Sequence, residues 1–172
     1  MTSKIQSESM NLADTYAFTG TVTGAGGITS ADMWHTSTNQ TIPSSSTTVV
    51  ASWQQEVYLG SAMSVSSGIW TFPLTGIYSI KYVAYVQHNS DISYITSYIQ
   101  TTTNNSSYNN NAFSDLTHKD GYSIHNVSTF FDVTDTSTHK VKFSHYAPSS
   151  FSLRGTSSEA QTYVQFIRLG DT

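Results

Sequence analysis

The chain has 172 residues, of which 37% are hydrophobic and only 10% charged, a length that suits one domain with or without a short arm. It contains no Cys, which excludes a disulfide framework, a thiolate metal site and a Cys nucleophile. Seven Lys and Arg against eleven Asp and Glu give a net charge of −4, a balance that argues against nucleic-acid binding through clustered cations. The polar character is uncharged: 29 Ser and 25 Thr make up nearly a third of the residues. Aromatics stand at 13%. Thr, Tyr, Phe, Val and Ile favour strands and Ser and Asn favour turns, so the composition predicts an all-β protein with many loops.

In chain order, residues 1–14 read as an arm and 15–172 as one domain. The arm lacks an alternating pattern, and Ile5, Met10 and Leu12 are its main apolar side chains. Met1 to Met10 is too polar for a secretory signal, so the sequons at Asn39, Asn105 and Asn126 are expected to be chance matches. Tyr16, Phe18 and Val22 share parity and predict a strand ended by Gly24 to Gly27. Ser44 to Ser46 predicts a loop, and Val49 to Leu59 another strand. Trp70 and Phe72 lead to Pro73, and Thr75-Gly76 predicts a turn. In the strand that follows, Tyr78, Ile80, Tyr82, Ala84 and Val86 take one face, while Ile77, Ser79, Lys81, Val83 and Tyr85 take the other. Lys81 implies that the second face is only partly covered. No stretch is long and apolar enough to span a membrane.

Ile92 to Thr101 is rich in strand formers. Thr101 to Asn111 is a polar tract with one large side chain, and it predicts an exposed loop. Asn104, Asn105, Tyr108 and Asn109 are its candidate recognition residues, with Tyr108 as a platform for a sugar or peptide; an inert solvated loop is the plainer alternative. Ile124 to Val133 places Val127, Phe131 and Val133 on one face. Asp135 to Thr138 predicts a turn, and His139 to Tyr146 is expected to return beside the preceding strand as a hairpin. In the last strand, Thr162 to Leu169, Val164 and Phe166 oppose Tyr163, Ile167 and Leu169. Eight to ten strands without a helical period predict a sandwich or jelly roll.

No catalytic, cofactor or metal site is assigned. The six His lack zinc-helix spacing. Asp132, Asp135 and His139 could hold a cation, but a polar turn is the preferred reading. His118-Lys-Asp120 is taken as accidental. There is no Gly-x-Ser-x-Gly elbow, and paired carboxylates for glycoside hydrolysis would have to come from distant strands.

Gly68, Trp70, Pro73, Gly76 and Tyr78 resemble the Gly-x-aromatic-x-x-Pro-x-x-Gly-x-Tyr pattern of complement globular heads, which share the tumour-necrosis-factor-like jelly roll. Ile80 stands where an aromatic is usual. The closing strand Tyr163 to Gly170 is similar to theirs without its central Gly. The segments Asp14 to Gly26, Phe131 to Lys142 and Phe166 to Thr172 resemble structural proteins of tailed bacteriophages. The resemblance implies a homotrimeric, non-enzymatic virion protein. The short chain fits a capsid decoration or head-fibre protein on the virion surface better than a tail fibre, which usually needs a long shaft, with the major capsid protein or another virion protein as its partner. A receptor-binding tail-fibre tip that reads host surface polysaccharide is the second reading, and a polysaccharide-degrading enzyme the third. On the first reading Ile5, Met10 and Leu12 are candidate capsid-anchoring residues. Tyr78, Tyr82 and Tyr85 are candidate trimer-interface residues: aromatics on both faces of one strand suggest that one set fills the sandwich and the other meets a three-fold axis.

Overall fold

The computed structural model describes residues 27–172. The predicted strand at Tyr16 to Thr23 and the arm with Ile5, Met10 and Leu12 lie outside the described residues. Two antiparallel sheets face each other, and no helix occurs among the described residues. One sheet runs β2 (Gln40–Ile42), β12 (Phe151–Leu153), β7 (Gly76–His88), β13 (Tyr163–Gly170), β1 (Ser30–Thr36) and β4 (Trp53–Gly60), with β10 (Gly121–Val133) also on β7. β10 pairs with β7 along its whole length, from Val133 opposite Gly76 to Gly121 opposite His88. β13 and β12 pair with β7 as well. The other sheet runs β5 (Ser64–Ser66), β6 (Ile69–Thr71), β11 (Lys140–Tyr146), β8 (Ile92–Thr102) and β9 (Asn109–His118), with β3 (Thr48–Val49) also on β11. The architecture is the expected all-β jelly-roll sandwich.

The sequence pattern explains the central strand. Tyr78, Ile80, Tyr82, Ala84 and Val86 are all essentially inaccessible to solvent, while Ile77 on the opposite face is 38% exposed. Trp70 anchors the core: its ring meets Trp34, Trp53, Phe143 and Phe166 at centroid distances of 5.1–6.2 Å. Two glycines of the quoted block have steric reasons to be there. Gly68 (φ +76°) and Gly76 (φ +139°) occupy backbone conformations that side chains rarely adopt, and an added Cβ would lie 2.5 Å from the Val50 carbonyl oxygen and 2.4 Å from the Gly170 carbonyl oxygen, respectively.

Three local readings are corrected. Val49 to Leu59 is not one strand: Ser52 (φ +62°) breaks it, leaving β3 in one sheet and β4 in the other. Ile124–Val133 and His139–Tyr146 do not form a hairpin. The Asp135 turn carries the chain across the sandwich, because β10 takes β7 as its partner and β11 takes β8, β6 and β3. The polar tract is a shorter loop than expected, since β8 extends to Thr102 and β9 starts at Asn109.

β1 was not foreseen, and its polarity is inverted. Its residue Asp32 is buried, accepting hydrogen bonds from the Met63 amide (2.7 Å) and Gln55 Nε2 (3.1 Å). Asp32→Ala would leave the Met63 amide buried and unpaired, at a cost of about 2 kcal/mol. Thermal unfolding should shift down by roughly 4–8 °C for a domain of this size.

Candidate interface surfaces

At its β4 edge the outward face of the seven-stranded sheet carries exposed apolar side chains beside a groove. On β4, Val57 (59% exposed) and Leu59 (53%) share the outward face, while Tyr58 (59%) lies opposite the buried Asp32 on the other face of the same strand. β4 is an edge strand that pairs only with β1. Exposed apolar side chains on an unpaired sheet edge are an association site unless something covers them. Register places Leu59 beside Ala31, Ala31 beside Ile167, Val57 beside Met33 and Met33 beside Gln165. These residues line a groove of about 220 Å³.

A second apolar feature lies at the opposite flank, where the edge strands β9 and β10 come together. Phe130 is 67% exposed, Phe113 64%, Ile124 61% and Leu116 41%. The side chain of Asn111 on β9 reaches the Phe130 carbonyl at 3.5 Å. One flank of the molecule is thus an apolar groove; the other carries these side chains as a ridge, with Phe130 and Ile124 on one face of β10 and Phe113 and Leu116 on opposite faces of β9.

Of the candidate interface tyrosines, Tyr78 and Tyr82 are buried inside the sandwich. The Tyr78 hydroxyl donates to the Leu74 carbonyl at 3.0 Å, and the Tyr82 hydroxyl pairs with His145 Nε2 at 2.6 Å. These two rings are the set that fills the core, so they are withdrawn as contacts to another copy. Tyr85 lies on the outward face and stacks on Tyr122 at 5.3 Å.

The candidate recognition residues are dispersed by the fold. Asn104 staples its own loop: Oδ1 accepts from Thr102 Oγ1, the Ser106 amide and hydroxyl, and the Ser107 amide at 2.9–3.0 Å. Asn105 (φ +55°) donates its amide to the Thr138 carbonyl at 2.9 Å. Tyr108 lies against the sheet with the Lys142 ammonium 4.1 Å from its ring centre, and burial raises its phenol pKa. Asn109 opens β9 opposite Thr101. Only the connecting residues 103–108 form the loop. Replacing 103–107 by a short Gly-Ser linker should leave thermal unfolding within a few degrees of the parent, because surface loops contribute little to the core; differential scanning calorimetry checks this.

The loop shares an end of the sandwich with the start of the described chain. Ser30 begins β1, β13 ends at Gly170, β10 ends at Val133 opposite Gly76, and Thr102 lies opposite Lys140. Arg168 fastens this end, donating from Nε to the Thr75 carbonyl at 2.7 Å and pairing with Asp171.

The possible cation set resolves into a turn. Asp135 Oδ1 accepts from the Ser137 amide (2.8 Å) and hydroxyl (2.6 Å). The Ser137 hydroxyl, then its amide, lowers the Asp135 pKa. His139 packs on Phe131 with ring centres 5.7 Å apart. Among the described residues no group of three or more His, Asp or Glu is placed to hold a metal.

No family model matches the chain, and no curated protein matches it. Solved structures do. Murine APRIL superposes with a TM-score of 0.63 at 13% identity, covering 81% of this chain and 98% of that one. The Eiger tumour-necrosis-factor protein of S. frugiperda gives 0.61 at 9% identity over 83% and 93%. The vertex protein P5 of PRD1 gives 0.55 at 12% identity over 84% and 100%. At these identities the likeness establishes the tumour-necrosis-factor-like jelly roll and nothing finer.

Proposed function

We propose that this chain is a non-enzymatic surface protein of a phage particle, a homotrimeric capsid decoration or head-fibre protein that coats and braces the shell and contributes to host adsorption. The observation that carries the reading is the pairing of an apolar groove on one flank with an apolar ridge on the other. Groove and ridge are different patches of one surface, so a contact between them is heterologous, and a heterologous contact closes when the rotation completes a ring. Three copies, each seating Phe130 and Ile124 on the Val57–Leu59 face of the next, would cover both surfaces. The virion setting is supported by the segments that resemble phage structural proteins and by the likeness to the PRD1 vertex protein.

Residues 1–14 are the anchor in this reading, with Ile5, Met10 and Leu12 as pegs between subunits of the major capsid protein. Three weak arms on one trimer act together, and linkage of that kind raises avidity by about 10²–10⁴. Deleting residues 1–13 should abolish binding to undecorated particles while the trimer persists; undiminished binding would assign attachment to the jelly roll itself. Immunogold electron microscopy of virions tests the setting: label distributed over the capsid is expected, and label confined to the tail tip would favour the receptor-binding reading.

A further inference from the structure

Three fully buried imidazoles meet where the two sheets adjoin: His118 on β9, His125 on β10 and His145 on β11. β9 ends one sheet, β10 lies beside β7 in the other, and no ladder of paired residues joins β9 to β10. Their seam is therefore closed by side chains. His145 is satisfied, with Nε2 2.6 Å from the Tyr82 hydroxyl and Nδ1 3.0 Å from Ser97 Oγ. His118 holds Ser123 Oγ with Nδ1 at 2.7 Å and approaches the His88 carbonyl with Nε2 at 3.4 Å. His125 makes no hydrogen bond of ordinary geometry at either ring nitrogen, although the Ser114 backbone and the Asp115 charge on β9 lie near enough to favour its charged form weakly, and its ring centre lies 6.5 Å from that of His145.

The surroundings offer this cluster little negative charge. β9 contributes His118 and Asp115, but the Asp115 carboxylate accepts from Thr96 Oγ1 at 3.0 Å. β11 contributes His145, and β7 contributes Tyr82 and His88. Asp91, in the β7–β8 connection, is held by Lys119 at 2.5 Å. A proton arriving on His125 would thus sit in a dry seam beside two more imidazoles, with no acid group bonded to it.

We propose that His125 and His145, with His118 beside them, form an acid-operated latch, closed while those two imidazoles are neutral and opened by their proton uptake, which frees β9 and its side of β10 while the aromatic core around Trp70 stays packed. Burial, then the neighbouring His118, lowers the His125 pKa to about 4; burial, then His125, lowers that of His145 to about 3. Both shifts disfavour the charged form in the closed state. The latch is fully closed above the free imidazole value near 6.5, and opening becomes easier as pH falls from there toward 4. By pH 5 the opening equilibrium should rise on the order of 30-fold for each of the two residues. The ridge residues Phe113, Leu116 and Ile124 ride on the strands released, so acid should also loosen contacts between copies; this last consequence rests on the trimer proposed above.

The test is amide hydrogen exchange on the full chain at pH 7.5 and pH 5, corrected for intrinsic exchange rates. Residues 112–127 should lose at least ten-fold more protection than β13 and the start of β7. His125→Leu should reduce that difference by on the order of 30-fold, and His145→Gln, which keeps polar atoms toward Tyr82 and Ser97, is the second variant should the first not fold. Uniform loss of protection, or an acid response unchanged in the folding variant, overturns the latch. A monomeric parent that still opens locally keeps the latch and removes only its link to assembly.

Discussion

Phe130→Asp on the ridge, or Leu59→Asp in the groove, should convert the proposed trimer to a folded monomer. Both side chains are more than half exposed in the isolated subunit, so the substitution removes nothing from the core of one copy. In the assembly each would place an unpaired carboxylate in an apolar contact, repeated at three interfaces. Truncating an interface anchor alone costs about 2 kcal/mol or more, and burying an unpaired charge adds to that. A control, Tyr94→Ser on the other sheet, should leave the trimer intact. Sedimentation velocity reads the three variants directly, and a trimeric Phe130→Asp would place the contact elsewhere.

Trp70→Ala should be the most destabilising single core substitution. The ring is fully buried and meets four other aromatic rings from both sheets. Truncating a buried Trp costs about 3–5 kcal/mol because the cavity only partly collapses. That corresponds to a drop of about 6–20 °C in Tm for a domain of this length, measurable by calorimetry. A change below about 1 kcal/mol would mean that the two sheets close over the gap.

The aromatic core was legible because it follows the strand period. Tyr78 to Val86 alternates without interruption, and every inward position is occupied by a side chain that fits a sandwich. Gly68, Trp70, Pro73, Gly76 and Tyr78 were legible as a block. What failed to show was governed by partners far away in sequence. β1 hides its inward face behind Ser30 and Asp32, because Asp32 is satisfied by the Met63 amide and Gln55 across a contact that no local pattern announces. The turn at Asp135 looks like a hairpin turn, yet it crosses between sheets, since the choice of ladder partner belongs to β7 and β8.

The candidate site was legible only in outline. A strand bearing aromatics on both faces pointed to an outward contact, and the fold leaves Tyr85 outside while it takes Tyr78 and Tyr82 inside. The groove residues Ala31, Met33, Val57, Leu59 and Ile167 come from three strands and are brought into register only by the sheet. The polar loop misled because Asn104 and Tyr108, residue types suited to ligands, turn back onto their own chain.

The measurement that bears most directly on the account is the mass of the chain in solution at micromolar concentration, by light scattering at neutral pH. The account predicts three times the 18.8 kDa of one chain. A mass of 18.8 kDa would contradict it, leaving the groove and the ridge without the partner assigned to them.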